Sequence, residues 1–429
     1  MKYSVITFGC RVNQADSLGF EEDFLARGAR SASPEDADVV VVNTCSVTDS
    51  ADQAARQAIR RVSRVNPDAQ IVVTGCYATR RPDEIAGLPN VVRVVPNTHK
   101  LQLVSIVRRV ALPPDLSTAE RFGEGDGSCG ESISPGVAGR TAFTLRVQTG
   151  CAEPCSYCII PSTRGGPVSV PLDRVLLEVE RVASVGFKEI ALTGVHLGSY
   201  GRDLAPPSSL IELLRALEAF CSQGRSKDRP NLVFRISSLE PMDCTPEIVD
   251  LVAASPCFAP HFHLPLQHAS NPTLSAMRRP YTMEYYRELT SGIRARIPNA
   301  SIGSDVIVGF PGETDEDFER LESYLEQSPL THLHVFPYSD RPGTAAAELP
   351  DKVHGAVVRQ RSRRLREISE RLSKRFRESQ VGTVHRALTI EDGSLAVTGN
   401  YLKLKVDSGL PRNEWITVRV MDSGASVIE

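Results

Sequence analysis

Cys151, Cys155 and Cys158 stand in a C-x3-C-x2-C run. Three thiolates on one tight loop can bind three irons of a 4Fe–4S cluster, because such clusters are held through cysteine sulfur. The fourth iron is then open to a small molecule. S-adenosylmethionine (SAM) can chelate that iron through its amino and carboxylate groups. An electron from the cluster can then cleave its carbon–sulfur bond to a 5′-deoxyadenosyl radical. Tyr157, just before Cys158, fits a residue that covers the adenine. A zinc site is the alternative reading, but zinc motifs pair CxxC or Cys/His ligands, and no second pair lies nearby.

Cys10, Cys45 and Cys76 form a second set, 35 and 31 residues apart. Each follows an apolar, β-rich stretch: Tyr3–Phe8, Val39–Val42 and Ile71–Val73. In an open parallel sheet the carboxyl ends of the strands share one edge, where ligands bind. Three cysteines at three such ends can converge on a shared cluster. A single buried cysteine would be unremarkable, since cysteine packs as a small hydrophobe. Cys129, Cys221, Cys244 and Cys257 share no such pattern and receive no role.

The elements that must position these residues fall into blocks. Residues 1–112 alternate β-branched runs with helical stretches such as Asp52–Val65, which predicts a parallel α/β sheet. Residues 113–140 are rich in Pro, Gly and Ser and read as a linker. Residues 141–351 hold six strand candidates: Ala142–Val147, Glu189–Thr193, Leu232–Ile236, His261–Leu266, Ser304–Val308 and His332–Phe336. Six βα units in about 200 residues predict an open partial barrel, since a full eight-unit barrel needs about 250. Residues 352–379 read as one long helix. Ten basic residues against Glu367 and Glu370 give the stretch from Lys352 to Arg377 a net charge of +8. That excess predicts a surface facing nucleic acid. Residues 380–429 alternate in β fashion between glycines, as in a small antiparallel barrel.

The whole chain has 429 residues, 41% of them hydrophobic and 24% charged, with a formal charge of −3. This is the balance of a folded globular protein and excludes disorder, collagen and coiled coil as descriptions of the whole. No stretch approaches the roughly 20 apolar residues of a membrane helix. The start is too short in its apolar part for a signal peptide. A cytoplasmic location is expected, and there clustered cysteines indicate metal or catalysis rather than disulfides.

Gly150-Cys151-Ala152-Glu153-Pro154-Cys155-Ser156-Tyr157-Cys158-Ile159-Ile160-Pro161, with Asn43-Thr44-Cys45 and Thr74-Gly75-Cys76-Tyr77, resembles the methylthiotransferases of the radical SAM superfamily. The likeness runs through Phe234–Pro241, His263–Gln267, Asp305–Thr314 and Phe336–Ser339. It implies an auxiliary 4Fe–4S cluster on Cys10, Cys45 and Cys76, a second cluster on Cys151, Cys155 and Cys158, and a terminal RNA-binding TRAM barrel. It implies two SAM molecules per turnover. One methylates a sulfur at the open iron of the auxiliary cluster. The other supplies the radical that activates the target carbon, so that C–H becomes C–S–CH3. Thr193 and Gly194 stand where superfamily members contact the methionine amino group. Arg235 and Ser237 stand where the methionine carboxylate and ribose are held. Gln267 and Asp305 end later strands and point, by the barrel rule, toward the cavity. His261, His263, His332 and His334 alternate along their strands and are assigned to no metal.

The family has three substrate branches to be separated. Gly9-Cys10-Arg11-Val12-Asn13-Gln14, Asn43-Thr44-Cys45-Ser46-Val47-Thr48 and Thr193–Gly201 are similar to the branch that acts on threonylcarbamoyl-adenosine in tRNA. Another branch acts on isopentenyl-adenosine in tRNA. The third acts on a ribosomal-protein aspartate, and Pro265-Leu266-Gln267-His268-Ala269-Ser270 is closer to it. The expected partners are tRNA, at an anticodon-loop adenosine, and an electron donor such as a flavodoxin or ferredoxin, with the chain a monomer. A non-catalytic iron–sulfur RNA-binding protein is the reading from a different class.

Overall fold

The computed structural model describes residues 1–111, 134–135, 141–223, 232–406 and 409–428. Most of the expected linker, with Cys129, lies outside the described residues. The chain divides into two compact units. One holds Met1–Ser134 with Thr149–Ala152 and Ile159–Gly166; the other holds Pro135–Gln148, Glu153–Cys158 and Pro167–Glu429.

In the first unit, β1 (Lys2–Thr7), β2 (Arg30–Ser31), β3 (Val39–Thr44), β4 (Gln70–Gly75) and β5 (Val91–Val95) form one parallel sheet in the order β2-β1-β3-β4-β5. β3 is central, and Val39, Val40, Val41 and Val42 are all fully buried, as a strand covered on both faces requires. Helix Asp49–Val65 lays Ala55, Ile59 and Val62 against Val40, Val42, Ile71 and Val73. Thr48 caps that helix by accepting the Ala51 N–H at 3.2 Å.

Apart from the two-residue strand β8 (Val168–Ser169), which pairs with β7 (Gln148–Thr149), the second unit holds six longer parallel strands. They are β6 (Phe143–Arg146), β9 (Glu189–Thr193), β10 (Val233–Ile236), β11 (His261–His263), β12 (Ser301–Val308) and β13 (His332–Pro337). They form two sheets, β10-β9-β6 and β11-β12-β13, joined by bridges at Phe234–Phe258 and Ser238–His263. Helices Leu172–Ser184, Leu210–Gln223, Pro246–Ala254, Met283–Arg296 and Asp315–Gln327 connect them, which makes the six-unit partial barrel. The chain then runs through helix Gly355–Gln380 into β14 (Val384–Ile390), β15 (Leu395–Thr398), β16 (Lys403–Lys405), β17 (Trp415–Met421) and β18 (Gly424–Val427). These pair antiparallel in the order β16-β15-β14-β17-β18. A Cβ on Gly424 would lie 2.9 Å from the Lys405 carbonyl, so the two edge strands nearly close the barrel.

The long helix corrects one expectation. Its +8 charge does not face outward as a block. Arg361 is buried and binds Glu313 at 2.5 Å and Asp315 at 2.6 Å, Arg364 binds Glu322, and Arg371 binds Glu326 at 2.8 Å. Arg375 and Arg377 donate to backbone carbonyls of Glu326, Ser328 and Lys403. The acidic helix Asp315–Gln327 lies alongside and takes up much of the charge that a linear window assigns to the surface.

Candidate functional site

The parallel register of the first unit levels the carboxyl ends of β1, β3 and β4, with Thr7 opposite Asn43 and Thr44 opposite Gly75. Cys10 stands just before helix Arg11–Ala26, Cys45 follows β3 directly, and Cys76 opens helix Cys76–Arg80. Cys10 and Cys76 both lie near enough to Cys45 at this edge to act on its thiol. Burial pushes the Cys45 thiol up to about 12, with Cys10, Cys76 and Asp52 adding to the rise against the Val47 N–H. Gly9, at φ +88°, makes the approach possible, because a Cβ there would lie 2.5 Å from both Cβ and Sγ of Cys45. Gly75, at φ +99°, does the same before Cys76: its Cβ would meet the Thr44 carbonyl at 2.2 Å.

Beside the thiols lies a buried charged group. Asp16 binds Lys100 at 2.7 Å and Arg164 at 3.2 Å, and all three side chains are at most 5% exposed. Arg164 also donates to Asn13 Oδ1 at 2.6 Å, and Asn13 Nδ2 donates to the Phe8 and Thr44 carbonyls. Burial works against the Arg164 charge, but Cys76, Asp16 and Cys10 outweigh it and hold the guanidinium protonated. Burial likewise lowers the Lys100 ammonium, with Asp16 opposing. Asn97 Nδ2 points at Cys76 Sγ from 3.7 Å and donates to the Thr163 carbonyl at 2.9 Å. The donor set of three thiols, with fixed cations and N–H groups around them, suits a cluster whose sulfurs carry negative charge. Sequence reasoning missed Asn13, Asp16, Lys100 and Arg164. Asn13, Asp16 and Ser17 are buried in helix Arg11–Ala26, and polar residues on its inner side leave the helix without an amphipathic pattern that could have pointed to them.

The loop with Cys151, Cys155 and Cys158 is held by its backbone. The Cys151 N–H donates to the Gly165 carbonyl at 3.0 Å, and the Cys158 N–H to the Cys155 carbonyl at 3.1 Å. Ser156 bonds the end of helix Asn271–Ala276 through its N–H to Met277 and its hydroxyl to Ala276. Tyr157 packs against Met277, Ile307, Phe310 and Ala346. Arg279 donates to Cys155 Sγ at 3.0 Å while paired with Glu240. A second buried arginine thus attends a second thiol, and it too went unseen in the sequence.

Thr193 is buried at the end of β9. Gly194 is closely covered: a Cβ would meet Gln148 Oε1 and Leu197 Cδ2 at 2.9 Å. The same Gln148 oxygen accepts the His196 N–H at 2.9 Å, and His196 Nε2 lies 2.7 Å from Asp243. The Ser237 hydroxyl is buried with no hydrogen-bond partner among the described residues, which fits a site that a polar ligand completes. Gln267 sits at φ +65° and extends the sheet, its N–H on the Asp305 carbonyl and its carbonyl on the Ile307 N–H.

Two expectations are corrected here. Arg235 does not reach toward a ligand carboxylate. Its guanidinium binds both oxygens of Glu189 at 2.9 and 3.2 Å, donates to the Gly399 carbonyl at 2.9 Å and lies 4.7 Å over the Tyr401 ring. Glu189 is buried on the neighbouring strand and requires a counter-charge there. The Asp305 carboxylate is engaged by His263 at 2.9 Å and His334 at 3.0 Å rather than left for a cofactor, so the histidines do form a group.

Comparison with known proteins gives two family matches. Residues 2–96 match the group described as Uncharacterized protein family UPF0004, and residues 145–325 match the Radical SAM superfamily. Threonylcarbamoyladenosine tRNA methylthiotransferase MtaB of Aquifex aeolicus is 39% identical over 94% of this chain and 96% of its own. The protein of the same name from Bacillus subtilis is 33% identical over 97% and 96%. A tRNA-2-methylthio-N(6)-dimethylallyladenosine synthase of Streptomyces coelicolor is 34% identical over 91% of this chain and 76% of its own. Among solved structures, the radical S-adenosylmethionine methyltransferase TsrM of Kitasatospora setae superposes with a TM-score of 0.58 at 16% identity, covering 81% of this chain and 75% of that one. At that identity the likeness speaks for the fold alone.

Proposed function

Because the chain belongs to the methylthiotransferases of the radical SAM superfamily, we propose that it converts N6-threonylcarbamoyladenosine next to the anticodon of tRNA to its 2-methylthio derivative. Enzymes of this family work with two 4Fe–4S clusters and SAM, which when bound supply the radical chemistry that replaces an adenine C–H with C–S–CH3.

In this reading Cys10, Cys45 and Cys76 hold the auxiliary cluster. The observation that carries it is that these cysteines, 35 and 31 residues apart in sequence, stand at the carboxyl ends of neighbouring parallel strands, with Cys10 and Cys76 near enough to act on the buried Cys45 thiol. Cys151, Cys155 and Cys158 hold the other cluster, supported by their spacing on one loop. Lys100 and Arg164 by the first set, and Arg279 by the second, place positive charge where each cluster's sulfurs would be negative. Thr193 and Gly194 shape the wall for the methionine end of SAM. Ser237 offers its hydroxyl to the ribose, Tyr157 presents a ring to the adenine, and Gln267 lines the mouth. The threonylcarbamoyl substrate is supported by the printed names of the two relatives above that match almost end to end. The reaction takes electrons from a flavodoxin- or ferredoxin-like donor and occurs in the cytoplasm with tRNA. No helix among the described residues is long and apolar enough to cross a membrane.

The test is mass spectrometry of nucleosides from digested tRNA of a deletion strain. Loss of 2-methylthio-threonylcarbamoyladenosine, restored by the wild-type gene but not by Cys10→Ala, is the expected outcome. Loss of the isopentenyl derivative instead would move the substrate to the other tRNA branch. Unchanged tRNA would overturn the reading.

A further inference from the structure

Three parallel strands of the partial barrel carry an unusual concentration of imidazole. The register sets His263 opposite Gly303, Gly303 opposite His332, and Asp305 opposite His334. Alternate residues of a strand point to one face, so His261, His263, Asp305, His332 and His334 share a face of β11-β12-β13. The opposite face carries Ser304, whose hydroxyl meets the Tyr286 hydroxyl of the covering helix Met283–Arg296 at 3.1 Å. Helices cover the outside of such a barrel, so the histidine face is the inner wall. Gly303 leaves the space they occupy: a Cβ there would lie 2.3 Å from His332 Nε2 and 3.0 Å from His263 Nδ1.

His263 Nε2, Asp305 Oδ1 and His334 Nδ1 converge. The nitrogens stand 2.9 and 3.0 Å from one and the same carboxylate oxygen, and the three donor atoms lie within 4.8 Å of one another. Metal–ligand bonds of about 2.1 Å at right angles put neighbouring donors about 3.0 Å apart. From this geometry we infer that His263, Asp305 and His334 form a binding site for a divalent 3d cation on the inner wall of the barrel, separate from both cysteine triads. Two imidazoles and one carboxylate suit zinc, manganese or iron(II) rather than magnesium or calcium. Three protein donors leave coordination positions for water or an anionic oxygen. The His334 side chain is 57% exposed, so a cation can reach the site from solvent. A bare hydrogen-bonded network of the same residues is the competing account, and it predicts no cation.

Cobalt(II) alone is the probe, added to the cluster-loaded protein and followed by absorption and by metal content after gel filtration. Cobalt on nitrogen and oxygen gives weak ligand-field bands without the intense charge-transfer bands of cobalt on thiolate. The expected result is one cobalt per chain, free of thiolate bands, with iron unchanged. His334→Ala and His334→Gln should each weaken binding at least tenfold while keeping the iron. The glutamine can still donate to Asp305, so it keeps the network and loses the ligand. No bound cobalt, cobalt bound only with thiolate bands, or binding by His334→Gln as tight as wild type would overturn the inference.

Discussion

Substituting Gly9 by alanine should empty the auxiliary site and leave the other occupied. The new Cβ would lie 2.5 Å from Cys45 Cβ and Sγ, whereas carbon atoms in contact stand about 3.5–4.0 Å apart. Something must move by about 1 Å. Cys45 is 4% exposed at the end of the central strand and has no outward space to take. Overpacking of this kind costs about 1–3 kcal/mol, and the left-handed backbone at φ +88° costs a non-glycine residue about 1–2 kcal/mol more. The total of about 2–5 kcal/mol is smaller than the typical stability of a domain, about 5–15 kcal/mol. The chain therefore folds, with Cys45 out of line with Cys10 and Cys76. Iron and labile sulfide after anaerobic reconstitution should fall from about eight to about four per chain, by cluster stoichiometry. Formation of 5′-deoxyadenosine from SAM should persist, and the methylthio product should vanish. Gly19→Ala is the control. Gly19 lies in helix Arg11–Ala26 with nothing within 4 Å of an added Cβ, so alanine there should raise stability by about 0.5–1 kcal/mol and keep all the iron. Full iron in Gly9→Ala, or equal iron loss in Gly19→Ala, would refute the reasoning.

Three further outcomes follow from the buried charges. Asp16→Asn leaves Lys100 and Arg164 as two buried cations without their shared carboxylate; a loss of about 3–5 kcal/mol in urea unfolding is expected. Arg361→Ala should cost a similar amount by stranding the buried Glu313, whereas Arg363→Ala on the exposed side should change stability by less than about 0.5 kcal/mol. Burial would raise the Asp317 carboxyl, but hydrogen bonds from Ser270 and from Thr314 outweigh it and hold the carboxyl below its ordinary 3.8. Its contribution is therefore complete above that pH and is lost as pH falls through the lower folded value. The gap in urea midpoint between wild type and Asp317→Asn should be constant near neutrality and close under acid.

What the sequence made legible were features whose cause is local. Val39–Val42 announces a strand because its β-branched side chains favour that backbone, and Val306, Ile307 and Val308 do the same for β12, whereas β11, with His261, Phe262 and His263, carries no β-branched residue. β12 begins three residues earlier than the apolar pattern suggested, at Ser301, because its early positions pair with β11 and β13 and not because of its own composition. β11 is shorter than expected, ending at His263. Thr48 illustrates a different limit. It ends the Asn43–Thr48 run that resembles the threonylcarbamoyl branch, yet in the structure its hydroxyl caps a helix, so its identity has a sufficient cause that says nothing about tRNA.

The cysteines were legible for a chemical reason: few roles require three thiols after three strands. Their partners were not, because a counter-charge is chosen by topology. Arg164 meets Asp16 across 148 residues and Arg279 meets Cys155 across 124, and no spacing rule spans such intervals. The same holds for Arg235, which a motif position assigned to a ligand and a buried neighbour, Glu189, claimed instead. A residue type at a motif position states what chemistry is available. Which partner receives it depends on the nearest buried charge that would otherwise be unpaired, because stranding that charge costs several kcal/mol. The two buried arginines beside the thiols therefore belong to the reading of this chain as much as the cysteines do: each has a carboxylate partner already, and each still directs a donor at sulfur.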